Sequence, residues 1–320
     1  MLNRRSLLFR AGAAGMAASG FPRLAAAALT KVGFALPSGA CDCHVHVVGD
    51  SARYPMAANR VYTPPAASPG MLLDFQRALG FDRVVLIQPS FYGADNAAML
   101  DAMRRLGPAR ARGVAVIDEA ASESDLDAMR GAGIRGIRIN LETGGVADPA
   151  VARDRLRSAI ARCRPRGWHI QLYTRPAVIA ALAGDLMESP APVVLDHFAG
   201  ARAASGIAQP GFDVVLAMVK SGKAYVKISA PYRVSALGPP YEDVGALARA
   251  LVAANPERIL WGSDWPHTDS AHLPGRTATD VTPFLPIDDG LVLNQLPRWA
   301  PDPALRRTIL TDNPARLYGF

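Results

Sequence analysis

Residues 40–47 read Ala-Cys-Asp-Cys-His-Val-His-Val (ACDCHVHV), an apolar run of strand length that ends on two histidines separated by one residue. Side chains alternate along a strand, so Asp42, His44 and His46 are expected on one face. Cys41, Cys43 and Val45 are expected on the other, packed against helices. Groups at i and i+2 lie roughly 6 to 7 Å apart and can touch one ligand. Working outward, strand-like runs recur at 83–89 (RVVLIQP), 112–118 (RGVAVID), 134–141 (IRGIRINL), 169–174 (HIQLYT), 192–198 (PVVLDHF), 224–230 (AYVKISA) and 258–265 (RILWGSDW).

Between these runs lie amphipathic stretches such as DNAAMLDAMRRLG and SESDLDAMRGAG, with Ser or Asp before them and Gly after. Repeated β-then-α units of this kind predict an α/β protein: a (β/α)8 TIM barrel in a single domain over residues 29–320, rather than an open doubly wound sheet. Histidines accompany four of the runs (His44 and His46, His169, His197, His267), and the last run adds Asp264. Imidazoles and a carboxylate carried by separate strands converge only if those strands close side by side, which places a candidate active site at the barrel mouth. Two stretches break the rhythm, residues 48–67 and 267–300; both leave from the mouth end of a strand and are expected to form a partial roof. His272, in the second, needs no special role.

With 320 residues, half of them hydrophobic, the chain can bury one large core. Ordinary aromatic and charged fractions exclude a disordered class. Residues 1–28 (MLNRRSLLFRAGAAGMAASGFPRLAAAA) join an arginine pair to a weakly apolar, small-residue stretch with A-x-A near Ala27 and Ala28. This resembles a bacterial twin-arginine export signal, so the mature protein is expected in the periplasm, with the export machinery as a transient partner. Gly15, Gly20 and Pro22 interrupt the stretch, which argues against stable membrane insertion. Losing Arg4, Arg5, Arg10 and Arg23 with the leader lowers the formal charge of +7 by four, to +3. That leaves no electrostatic case for nucleic acid. Cys41, Cys43 and Cys163 have no bridging geometry and are expected as buried, reduced side chains.

Several blocks are distinctive: D-C-H-V-H (42–46), V-L-I-Q-P-S (85–90), I-R-G-I-R-I-N-L (134–141), L-D-H-F (195–198), W-G-S-D-W-P-H (261–267) and the closing D-N-P-A-R-L-Y-G-F (312–320). Through these the chain resembles the amidohydrolase superfamily, in the amidohydrolase-related branch that includes pyrone dicarboxylate lactonase. The resemblance implies a (β/α)8 barrel, hydrolysis of a small substrate at its mouth and an essential aspartate at Asp264. Superfamily members that bind zinc through the first-strand H-x-H usually add a histidine or modified lysine from the fifth strand. Here the mouth end of that strand carries Tyr173, as in the metal-free branch, and His169 lies roughly 13 Å deeper on the same face. His44, His46 and Asp264 would still make three ligands for zinc or manganese. The expected site is nevertheless metal-free, with no cofactor.

In such a site Asp264 is the expected general base for water, and His44, His46 and His197 polarise the carbonyl, partly as imidazolium. This chemistry suits a lactone or ester, whose leaving oxygen departs more readily than an amine. Strand alternation makes His197 the inward residue and Asp196 a structural partner on the opposite face; His169 is expected as a core histidine, hydrogen-bonded under the pocket floor. Ser90, Tyr92, Arg138, Asn140, Tyr173, Tyr232 and Arg233 stand at mouth ends and are the expected substrate contacts. Arg138 and Arg233 match arginines that hold substrate carboxylates in the lactonase pattern. Gly144 and Gly200 stand where that pattern has further arginines, which favours a monocarboxylate or a neutral, sugar-derived lactone. Two other readings remain: a divalent-metal amidohydrolase or decarboxylase using His44, His46 and Asp264, and a non-catalytic periplasmic binding protein. The last is disfavoured because a binder has no need of a water-activating carboxylate beside imidazoles.

Overall fold

The computed structural model describes residues 29–271 and 275–320; the leader expected over residues 1–28 and His272 lie outside them. Eight parallel strands form one sheet in chain order: β1 (Cys41–Val45), β2 (Arg83–Ile87), β3 (Ala111–Ala115), β4 (Ile134–Asn140), β5 (His169–Tyr173), β6 (Val193–Leu195), β7 (Ala224–Ser229) and β8 (Ile259–Gly262). Helices alternate with the strands, giving the (β/α)8 barrel that the sequence pattern predicts. Among the described residues no helix is long and apolar enough to cross a membrane.

The seam between β1 and β8 closes the barrel. Asp264 donates its N–H to the carbonyl of His44 (2.8 Å), and His46 donates to the carbonyl of Trp265 (2.8 Å). Asp42 ties the same edges together by accepting from the backbone of Ser263 (3.0 Å) and from its hydroxyl (2.5 Å). Register shows why the strand-1 alternation fails. Asp42 pairs with Val84 and Val45 with Leu86, so β1 holds one more residue than β2 across the same interval. That β-bulge changes which side chains face inward. Cys41 and Cys43, expected against helices, pack instead with Val85, Ile87, Val194, Leu260 and Tyr318 inside the barrel. Asp42 is left on the side of Val84, and His44 is carried inward by the bulge. All three cysteines are buried and unpaired, as expected. Gly262 makes the arrangement feasible: a Cβ there would sit 2.7 Å from His44 Cβ and 2.9 Å from its backbone nitrogen.

At the mouth the strands end earlier than the apolar runs. β6 stops at Leu195, and His197 turns through φ 49; β8 stops at Gly262, and Asp264 turns through φ 69. Left-handed backbone at a non-glycine residue costs on the order of 1 to 3 kcal/mol and persists only where surrounding contacts enforce it. The two long mouth segments fasten to each other through a Thr63–Val281 bridge and the Thr282 N–H to Thr63 carbonyl bond (2.8 Å). They form the expected roof. Residues 267–300 are not bare loop, however: they contain the helices Asp289–Leu293 and Leu296–Trp299, the first capped by Asp288.

His169 occupies the far end of the barrel, edge-on to Tyr318 at 5.3 Å between ring centroids, where Gly136 leaves room for its ring. Its depth agrees with expectation, but neither ring nitrogen meets a hydrogen-bonding partner. Burial, reinforced by Lys227, pushes its pKa down to about 3.

Two outcomes follow from these features. Gly262→Ala forces the seam apart at His44 and should destabilise the fold by about 1 to 3 kcal/mol; an unchanged thermal midpoint would show that the seam does not need the gap. For His169, the unfolded ring binds a proton below about 6.5 that the folded ring refuses until far lower pH, so stability present at neutral pH drains away as pH falls, at about 1.4 kcal/mol per unit. His169→Phe should therefore flatten the dependence of melting temperature on pH between 6.5 and 4; an unaltered slope would remove His169 from the acid sensitivity.

Candidate active site

Asp264 is the point on which three strands converge. Its Oδ1 lies 3.5 Å from Nε2 of His44, 3.4 Å from Nε2 of His46 and 3.9 Å from Nε2 of His197. All of these groups are buried, and the His44 and His197 rings lie 4.6 Å apart between centroids. The expected assembly of imidazoles from the first and sixth strands around the eighth-strand carboxylate is therefore present.

Each imidazole is held from behind. Nδ1 of His46 is 2.8 Å from the carbonyl of Ile87. A carbonyl only accepts, so that nitrogen carries a proton. Nδ1 of His197 is 2.8 Å from the Ser229 hydroxyl. Nδ1 of His44 lies 3.3 Å from Asp196 Oδ1 and 3.3 Å from Lys227 Nζ. Asp196 is not on the opposite face from His197. Strand alternation already turns Asp196 inward, and the left-handed backbone at His197 swings the next side chain inward too.

The second oxygen of Asp264 is fully engaged: Tyr232 donates its hydroxyl (2.7 Å) and Arg233 its Nε–H (2.6 Å). Burial alone would raise the carboxyl's pKa, but the Arg233 guanidinium beside it outweighs burial and holds Asp264 well below the usual carboxylate range. The imidazolium character expected of the polarising histidines is not what their surroundings favour. Burial, then the Lys227 ammonium, drives His44 well below its ordinary value, and burial takes His197 down to about 4, so both are neutral at neutral pH.

Above this cluster opens a small recess, with His46, His197 and Asp264 in its lining. Of the expected substrate contacts, Ser90, Arg138, Asn140, Tyr173 and Arg233 line it. Tyr92 and Tyr232 stand one layer back. The Tyr92 hydroxyl accepts from the Gly49 backbone (3.0 Å) and pins the first roof segment, while Tyr232 supports Asp264. Sequence reasoning missed Tyr62, Pro89, Thr143, Thr268 and Ser270, which complete the lining. They come from loops with no periodicity to read. It also missed Lys227 and Gln171, for which a signal existed: a charged and an amide residue inside apolar strand runs.

Comparisons with known proteins agree with this geometry. The amidohydrolase family model (Amidohydro_2) matches residues 41–320. The chain is 35% identical over 299 residues to 2-pyrone-4,6-dicarboxylate hydrolase of Comamonas testosteroni, covering 90% of this chain and 93% of the relative. It is 34% identical to 4-sulfomuconolactone hydrolase of Rhizobium radiobacter, with 90% and 92% covered. A crystal structure of a putative 2-pyrone-4,6-dicarboxylic acid hydrolase from Pseudomonas putida superposes with a TM-score of 0.72 at 33% identity, covering 89% of this chain and 98% of that one. With the barrel, the strand-1 histidine pair and the strand-8 aspartate all in their places, the chain belongs to the amidohydrolase family.

Proposed function

We propose that this protein opens a small lactone, or a related ester, by attack of water, with Asp264 as general base and without a resident metal. The observation that carries the reading is the free Oδ1 of Asp264 in the lining of the recess, ringed by the Nε2 atoms of three histidines within 3.9 Å while Oδ2 is occupied by Tyr232 and Arg233. Resemblance to two relatives named for hydrolysis of a pyrone and a muconolactone supports it. Water beside Oδ1 loses a proton to the carboxylate as its oxygen bonds the carbonyl carbon. His197 from the wall, with Ser229 donating to its Nδ1, and His44 from below donate Nε2–H to the developing oxyanion. His46, held at Nδ1 by the Ile87 carbonyl, helps orient the water. The ring C–O bond then breaks, and Asp264 returns the proton to the departing oxygen. A carboxylate held so acidic is a weak base but a ready acid, which suits a substrate with an activated carbonyl and a good leaving oxygen. Arg138, at the wall, would take a single substrate carboxylate. Localisation in the periplasm, through the twin-arginine leader, belongs to the same proposal.

One observation favours a second reading. Ligand atoms of His44, His46 and Asp264 lie within 4.8 Å of one another, and Nε2 of His44 has no hydrogen-bonding partner. This donor set fits zinc or another divalent ion, which when bound would polarise the carbonyl and acidify a water. The protein's own groups would then hold the ion and orient the substrate against Arg138 and Tyr173.

A panel of lactones and esters, including 2-pyrone-4,6-dicarboxylate, 4-sulfomuconolactone and sugar-acid lactones, separates these readings when run on protein of measured metal content. Chelator-treated protein should keep its turnover, and Asp264→Asn should lower kcat by roughly 100- to 10,000-fold with the fold intact. Activity lost on chelation and restored by zinc would establish the second reading instead. Changing Arg4 and Arg5 to lysine should retain the full-length chain in the cytoplasm; processed protein in the periplasm of that variant would exclude twin-arginine export.

A further inference from the structure

Beneath the imidazoles lies a polar layer that the reaction as described does not use. Lys227, in the middle of β7, is wholly buried. Its Nζ donates to Gln171 Oε1 at 2.7 Å and lies 3.3 Å from Asp196 Oδ1. Gln171 in turn donates from Nε2 to Asp196 Oδ2 at 3.0 Å. Residues of β5, of β7 and of the turn after β6 thus close a ring of amide, carboxylate and ammonium inside the barrel.

Stability gives little reason for this ring. Replacing a buried ion pair by apolar side chains of similar volume is commonly neutral or stabilising, because desolvation offsets the attraction. The chemistry of the third contact gives a better one. Lys227 Nζ also reaches His44 Nδ1 at 3.3 Å in hydrogen-bonding geometry. Asp196 Oδ1 is equally near that nitrogen and its charge acts on the ring, but its direction falls outside hydrogen-bonding geometry where that of Lys227 does not. A lysine carries donors and no acceptor, so the nitrogen it meets must accept. The ring proton of a neutral His44 then sits on Nε2, the atom that faces Asp264 Oδ1 at 3.5 Å.

We propose that Lys227, seated by Asp196 and Gln171, is a positioning residue for His44: by donating to Nδ1 it fixes the ring proton on Nε2 and makes His44 a hydrogen-bond donor beneath the recess. A ring so fixed offers no lone pair at Nε2, so a metal ion binds through His44 only if the ring proton first moves to Nδ1; this is the point on which the two readings of the site divide. The inference rests on the hydrolase reading only for its kinetic consequence; the placement of the proton stands apart from it.

The test has two arms. In protein labelled with 15N-histidine, with His44→Gln identifying the signals, His44 should show a protonated Nε2 and a bare Nδ1. A protonated Nδ1 overturns the proposal whether or not any lactone is turned over. For the kinetic arm, Lys227→Met is combined with Asp196→Asn so that the carboxylate does not lose its ammonium partner; Arg138, 3.5 Å from Asp196 Oδ2, keeps its bond to the Gln88 carbonyl. The double variant should melt near the native protein yet lose roughly ten- to a hundredfold in kcat on whichever lactone of the panel is turned over, with KM little changed. Native kcat in the folded double variant, or a change confined to KM, overturns the proposal. If that variant does not fold, the nitrogen shifts of the native protein decide alone. Asp264→Asn, run alongside, reports separately on the hydrolase reading.

Discussion

One extra residue in β1 pushes His44 into the barrel, and the space it enters is the space that Gly262 leaves empty. The rest of the site depends on that exchange. With His44 displaced inward, its carbonyl meets the Asp264 N–H, the seam between the first and last strands closes, and the carboxylate is delivered against the Nε2 atoms of His44 and His46. The same hydrogen bonds that complete the barrel therefore assemble the chemistry. Backbone held in the left-handed region at Asp264 and His197 marks where the scaffold holds its chain against local preference.

Electrostatics then divides the labour between the two oxygens of Asp264. Tyr232 and Arg233 fasten one of them, which keeps the group ionised inside a buried site and stops it rotating. The other is left to the recess. Burial works in the opposite sense on His44 and His197, disfavouring their charged forms. The outcome is an anionic carboxylate beside neutral His44 and His197, with the Arg233 guanidinium on its second oxygen and the Lys227 ammonium behind His44. Roof residues such as Tyr62 and Thr268 complete the wall of the recess above these groups.

Much of this is legible in the sequence. The apolar runs mark all eight strands to within a few residues, because strands buried on both faces read as continuous hydrophobic stretches. Polar residues at their mouth ends mark the recess, and Ser90, Arg138, Asn140, Tyr173 and Arg233 do line it. What failed was alternation. It assigned Cys43 to the helix side and Asp196 away from His197, because a rule of period two has no term for a bulge in β1 or for a left-handed turn after β6.

From the sequence alone, then, come the repeating β/α rhythm, the reduced cysteines, the histidines and aspartate that carry chemistry, and the barrel that must gather them. These are properties of local pattern, and local pattern is written in neighbouring residues. Only the tertiary structure decides which way those side chains face and what stands behind them: that Arg233 grips Asp264, that Tyr92 pins a loop, that Lys227 reaches the back of His44. Each of these contacts joins residues from separate strands or loops, and their distance depends on register, bulges and closure, which no single stretch of the chain contains.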